Sequence, residues 1–134
     1  MAQTPEAKVK IFIDKYMKDN FEGIWRYAPP GGMYGNAGMP DRVYLWNGIF
    51  IAIEAKAEGN SPTKSQWMQL NHVAQQGGVA AVVVGKDINK MNKIKNAIME
   101  KLKDEHKITI RKISVADEVN QSKTIFTSDR IDEI

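Results

Sequence analysis

The chain has 134 residues, 43% hydrophobic and 26% charged, with no cysteine and a formal charge of +3. Those values suit one soluble globular domain with a real core, exclude disulfides and thiolate metal sites, and are compatible with a reducing compartment. The start, MAQTPEAKVK, has no signal-peptide apolar region and no stretch is as long as a membrane span, so the expectation is a cytoplasmic, intracellular protein.

Residues 5–20 carry Val9, Phe12, Ile13, Tyr16 and Met17 at helical spacing, opened by Thr4-Pro5 as cap and first turn. GIWRYA follows as a short strand, closed by Pro29-Pro30. The segment GGMYGNAGM, with four glycines and no periodicity, reads as a loop. It lacks a Gly-Lys-Ser/Thr ending, which rules out a nucleotide-cradling P-loop.

RVYLW and IFIAIEAKA flank Asn47-Gly48, the pair that two-residue hairpin turns demand. A helix is predicted over about 62–76, with Trp67, Leu70, Val73 and Ala74 as its apolar stripe and Gly77-Gly78 as its stop. Trp46 and Trp67 read as core. VAAVVVG reads as a strand buried on both faces. A second long helix carries Ile88, Met91, Ile94, Ile98 and Leu102, and ITIRKISV is a further strand. The order makes an α/β domain over 1–116, a mixed β-sheet flanked by helices, with an acidic tail at 117–134. Nine Lys/Arg against four acids between Lys86 and Lys112 suit either a polyanion-binding surface or a solvated lysine face.

The hairpin carries the chemistry. A two-residue turn at 47–48 makes opposing residue numbers sum to 95, which sets Asp41 against Glu54, with Cβ atoms roughly 4.5–5.5 Å apart. Glu54 and Lys56 share a face by the period of two. Like charges so placed destabilise a sheet unless a proton, a base or a divalent cation intervenes. An all-oxygen pair suits Mg²⁺ or Mn²⁺, whereas His72 and His106 alone do not make an ordinary zinc site. Acid-x-Lys by itself is uninformative, since Glu6-Ala7-Lys8 and Glu105-His106-Lys107 repeat it. The aliphatic strand and the second acid single out the middle copy.

Gly38-x-Pro40-Asp41, the glycine-turned hairpin, Glu54-x-Lys56, and Gln66 eleven residues before Gly77 together resemble the VRR-NUC branch of the PD-(D/E)XK nucleases, over roughly residues 5–85. The resemblance implies a restriction-endonuclease-like core of order αβββαβ, followed here by a helix and a strand. It implies Asp41 and Glu54 as metal ligands, the Ala55 carbonyl as a third, and Glu6 as an acid on the first helix near the metal. Lys56 would orient or activate the attacking water. Gln66 would support the site, although Thr63-x-x-Gln66 also reads as a capping box, and Glu6 as an ordinary first-turn acid.

The activity implied is Mg²⁺-dependent (or Mn²⁺-dependent) endonucleolytic cleavage of DNA. Stand-alone, virus-type members imply a homodimer acting on branched DNA such as Holliday junctions, in recombination or repair. Two other readings stay open: a non-cleaving nucleic-acid-binding module on the same fold, and a sequence-specific restriction-type nuclease.

Overall fold

The computed structural model describes residues 3–30 and 38–109, the last five of these by backbone alone. Met1–Ile98 pack as one compact unit, and a second unit begins at Met99, within the last helix. The element order is α1 (Pro5–Asn20), β1 (Trp25–Tyr27), β2 (Arg42–Trp46), β3 (Ile49–Lys56), α2 (Lys64–Gln75), β4 (Val79–Val84) and α3 (Ile88–Thr109). The expected αβββαβ order plus a helix is therefore present.

The Thr4 hydroxyl accepts from the Ala7 N–H at 3.1 Å, and Pro5 opens α1 where a missing N–H costs nothing. Val9, Ile13, Tyr16 and Met17 are buried as the spacing requires. The four strands lie in the order β1-β2-β3-β4: the first three are antiparallel, and α2 crosses over so that β4 runs parallel to β3. The turn residues Asn47 and Gly48 have φ of 50° and 80°, the left-handed pair of a type I′ turn.

Alternation divides the sheet into two faces. Ile49, Ile51, Ile53, Ala55, Val79 and Val83 form a buried face with Tyr44. On it lies α1, whose Asp14 reaches Tyr44, Arg42 and Arg26. The N-terminal half of α3 buries Met91, Ile94 and Ile98 and meets α1 through a 2.7 Å bond from the Tyr16 hydroxyl to Asn92. The opposite face is covered only in part, by α2 over β3 and β4.

That partial cover overturns two expectations, and a third fails at the hairpin tip on the other face. Only Leu70 of the α2 stripe is buried; Val73 is half-buried, while Trp67 and Ala74 are exposed. Trp46 is half-buried at the hairpin tip, its indole N–H donating to the Glu22 carbonyl and its ring meeting the edge of Phe21. β4 is not buried on both faces: Val79 and Val83 are, but Ala80 to Val82 are half-buried and Val84 is exposed. One short helix cannot roof two strands, so its second apolar row and the sheet beneath it stay partly wet.

The strand expected over 108–115 is corrected at its start, because α3 continues through Thr109. Its remainder, the domain boundary at 116 and the acidic tail lie outside the described residues. Lys90, Lys93, Lys95, Lys101 and Lys103 of α3 stand on exposed or half-buried positions, in keeping with a solvated face. Among the described residues no helix is long and apolar enough to cross a membrane.

Candidate metal centre

Three elements meet where β2 begins and β3 ends. The ladder closes at Arg42↔Ile53, so Asp41 sits one residue outside it, in a bend, and not as a ladder partner of Glu54. Its side chain turns back over β3, and Oδ2 accepts from the Ala55 N–H at 2.8 Å. The two carboxylates still converge, because the Ala55 N–H holds the Asp41 side chain over β3, and not by strand pairing.

Glu54 is 1% exposed, the only buried charged residue among those described. Its Oε2 accepts from Gln66 Nε2 at 3.2 Å and faces Lys56 Nζ at 3.8 Å, while its buried Oε1 has no hydrogen-bond partner. Burial, first of all, and then the neighbouring Asp41 carboxylate push the Glu54 carboxyl up to about 8; Lys56 pulls it back and Glu6 adds to the rise. A strand centre made of Ile, Ala and Ile places the acid in a dry site by sequence alone.

Gln66 fulfils both of its expected roles. Its backbone N–H donates to the Thr63 hydroxyl, and its Oε1 accepts from the Thr63 N–H at 2.8 Å, closing the capping box. The same amide turns its Nε2 to Glu54. The start of α2 is thereby tied to the carboxylates.

Gly38 sets the approach of the chain to this corner. It has φ +83°, and a Cβ there would stand 2.5 Å from the Ser65 carbonyl carbon and oxygen and 2.8 Å from the Gln66 nitrogen. Gly38→Ala is expected to destabilise the protein by roughly 2–4 kcal/mol, the sum of a left-handed backbone and a backbone overlap. Urea unfolding with the midpoint and slope of both proteins measures it; an unchanged midpoint would contradict this packing.

Glu6 and Lys10 project from the first turns of α1. Lys10 Nζ lies 3.5 Å from Asp41 Oδ1 and 4.0 Å from Glu6, and Lys56 Nζ lies 3.9 Å from Glu6 Oε1. Carboxylates and ammoniums thus alternate in the order Asp41, Lys10, Glu6, Lys56, Glu54. Glu6 stands one ammonium away from each of the two central acids. Among the described residues no three His, Cys, Asp or Glu side chains close on a common point.

Sequence reasoning missed Lys10, for which the one available signal was its i,i+4 spacing from Glu6. It also missed Asp14. That carboxylate accepts from Arg26 at 2.6 Å, from the Arg42 Nε at 3.0 Å and from the Tyr44 hydroxyl at 2.6 Å. Arg42 in turn donates from Nη1 to the Asp41 carbonyl at 3.1 Å, which clamps the backbone of the acid itself. Burial, and then the hydrogen bond to Asp14, drive the Tyr44 phenol far above its usual range, so it remains a donor.

The donor set fits a hard divalent cation. Two carboxylates converge, one carries a buried oxygen with no partner, and all available donors are oxygen. His72, on the exposed side of α2, stands apart from them, lining a groove over Phe50.

No model of a known protein family and no curated protein sequence matches the chain. A solved structure described as a VRR_NUC domain superposes on it with a TM-score of 0.52 at 19% identity, covering 72% of this chain and 97% of that one. At that identity the likeness establishes the fold: a restriction-endonuclease-like mixed sheet flanked by helices.

Proposed function

We propose that this chain, with the fold of a VRR_NUC domain, is a member of that nuclease family and a metal-dependent DNA endonuclease acting on branched DNA as a homodimer. The observation that carries the reading is Glu54. A buried carboxylate with an unpartnered oxygen, set against a second carboxylate, has no structural use that an amide would not serve better.

Asp41 and Glu54 would hold Mg²⁺ or Mn²⁺, with the Ala55 carbonyl as a further oxygen, while Glu6 would join them only if Lys10 and Lys56 gave way. When bound, such an ion lowers the pKa of water and neutralises charge on the phosphoryl oxygens. The protein's own groups do the rest. Gln66 fixes the Glu54 carboxylate through one amide hydrogen. Arg42 and the Ala55 N–H fix Asp41 from its two ends. Lys56, with its ammonium held between Glu6 and Glu54, orients the attacking water and offsets the negative charge that builds on the phosphate. Water adds to phosphorus, the bond to the leaving ester oxygen breaks, and that oxygen takes a proton.

A cleft of about 550 Å³ lies between the first turns of α1 and the segment after β3, with Lys8, Lys86 and Glu58 among its walls. The two lysines outnumber the one acid, which suits a sugar–phosphate backbone. Selectivity for branched DNA and the homodimer come from the resemblance, and two-fold symmetry would match paired sites to the two strands of a junction.

The test is cleavage of labelled four-way junction, flap, duplex and single-stranded DNA by the wild-type protein with Mg²⁺, Mn²⁺ or EDTA. Metal-dependent cutting favouring the junction is the expected result. Salt-sensitive binding with no cutting in any metal would replace the proposal with a binding module, and cutting confined to one duplex sequence would replace it with a restriction-type enzyme. Light scattering tests the dimer.

A further inference from the structure

The open half of the sheet carries a row of exposed aromatic and aliphatic side chains that catalysis does not use. Trp25 and Tyr27, at i and i+2 on β1, face the same side. Their rings lie within 18° of parallel with centroids 6.1 Å apart, and they are 55% and 48% exposed. Trp25 pairs with Leu45, and Leu45 with Phe50, each of these two 43% exposed. The row therefore spans three strands. Beyond it, Phe50 floors a groove of about 300 Å³ walled by Gln69, His72, Val73, Gln76 and Gly78.

The alternation that puts Phe50 on this face puts Glu54 and Lys56 there too. Tyr27 pairs with Val43, two residues from Asp41, and Trp25 with Leu45, four residues from it, so the two lie roughly 8 Å and 14 Å from Asp41, backbone to backbone. That is about two to four nucleotides at ~3.4 Å per stacked residue.

We propose that this face stacks unpaired nucleobases flanking the phosphodiester presented to Asp41 and Glu54. The proposal rests on the nuclease reading and names its substrate class: DNA with unstacked bases beside the cut. Aromatic faces bind any base through its π surface, and a fully paired duplex hides those surfaces inside its own stack. The composition of the wall selects bases over an apolar protein partner. Gln69, His72 and Gln76 offer donors and acceptors that base edges satisfy, whereas an apolar face laid over them would leave them unpaired.

The experiment compares wild type with the Trp25→Ala/Tyr27→Ala and Trp25→Phe/Tyr27→Phe variants. Binding is measured in EDTA to single-stranded DNA, a fork with unpaired arms and a fully paired duplex. The alanine pair should lose roughly 10- to 100-fold on single strand and fork, and less than about threefold on duplex, while the phenylalanine pair stays near wild type. In the wild-type protein, single-stranded DNA should quench a part of the tryptophan emission that Trp25→Phe lacks. Equal losses on all three DNAs, no loss, a phenylalanine pair as weak as the alanine pair, or quenching unchanged in Trp25→Phe would overturn the proposal. So would a fall in mass by light scattering in the alanine pair, which would make the face an interface between copies. Absence of cutting by wild type in every metal would instead sink the nuclease reading, and leaves the binding ratios to be judged by themselves.

Discussion

Asp41→Asn and Lys56→Met proteins are each expected to cleave DNA about 100- to 1000-fold more slowly than wild type in Mg²⁺, while their affinity for the same DNA in EDTA changes little. The two losses have different origins. An amide at 41 keeps the bond from the Ala55 N–H but no longer offers a charged oxygen to a cation, so excess metal should restore part of the rate. Methionine at 56 keeps the aliphatic stem and removes the ammonium between Glu6 and Glu54, which metal cannot replace. Single-turnover rates across a Mg²⁺ series separate the two cases. A Lys56→Met protein that cuts at the wild-type rate would remove this residue from the chemistry. Both substitutions alter polar groups at the edge of the core, and a thermal melt of each variant guards against misfolding as the cause.

Glu54→Gln is expected to stabilise the metal-free protein at alkaline pH and to abolish its stabilisation by Mn²⁺. The folded-state pKa of Glu54 stands at about 8, above the ordinary 4.5. Between those values the folded protein holds a proton that the unfolded chain has released, so stability is fully present below about pH 4.5 and falls as the pH rises through 8. The slope is at most about 1.4 kcal/mol per pH unit for one proton. Glutamine mimics the protonated acid, keeps an oxygen for the Gln66 amide and has nothing to lose on titration. The cation has the opposite preference: it binds the ionised form, so the Mn²⁺-induced rise in Tm should grow with pH up to about 8 and then level off. Melts of both proteins from pH 5 to 9, in EDTA and in Mn²⁺, supply the four curves. Parallel EDTA curves for wild type and variant would mean that Glu54 is not held protonated in the fold.

The alternating charges of Asp41, Lys10, Glu6, Lys56 and Glu54 explain how a metal-free corner with three acids stays folded. Each ammonium sits between two carboxylates at 3.5–4.0 Å, and Glu54 retreats to its neutral form. A divalent cation entering between Asp41 and Glu54 would compete with Lys10 for Asp41 Oδ1. The same corner is braced from behind by Asp14, whose two arginines and tyrosine connect α1 to β1 and β2. Breaking that hub would act on catalysis only through the placement of Asp41, which Arg42 holds by its carbonyl.

Local signals in the chain were enough for what depends on near neighbours. Thr4-Pro5 started α1, Asn47-Gly48 set the hairpin register, Thr63 and Gln66 closed the capping box, and the Val/Ala run made β4. Each is decided within a few residues by torsional preference, capping or period, and together they brought Asp41, Glu54, Lys56 and Gln66 to one end of the sheet. What sequence could not supply was how far each face would be covered. An apolar stripe states which side of a helix seeks burial but not whether a roof exists, which is why Trp67 stands in solvent and β4 is open on one side. Long-range electrostatics were equally out of reach. Lys10 meets Asp41 from 31 positions away and Asp14 meets Arg42 from 28. Such pairs exist only because α1 packs across the strands, and no spacing rule along a chain encodes a distance that the packing of two elements creates.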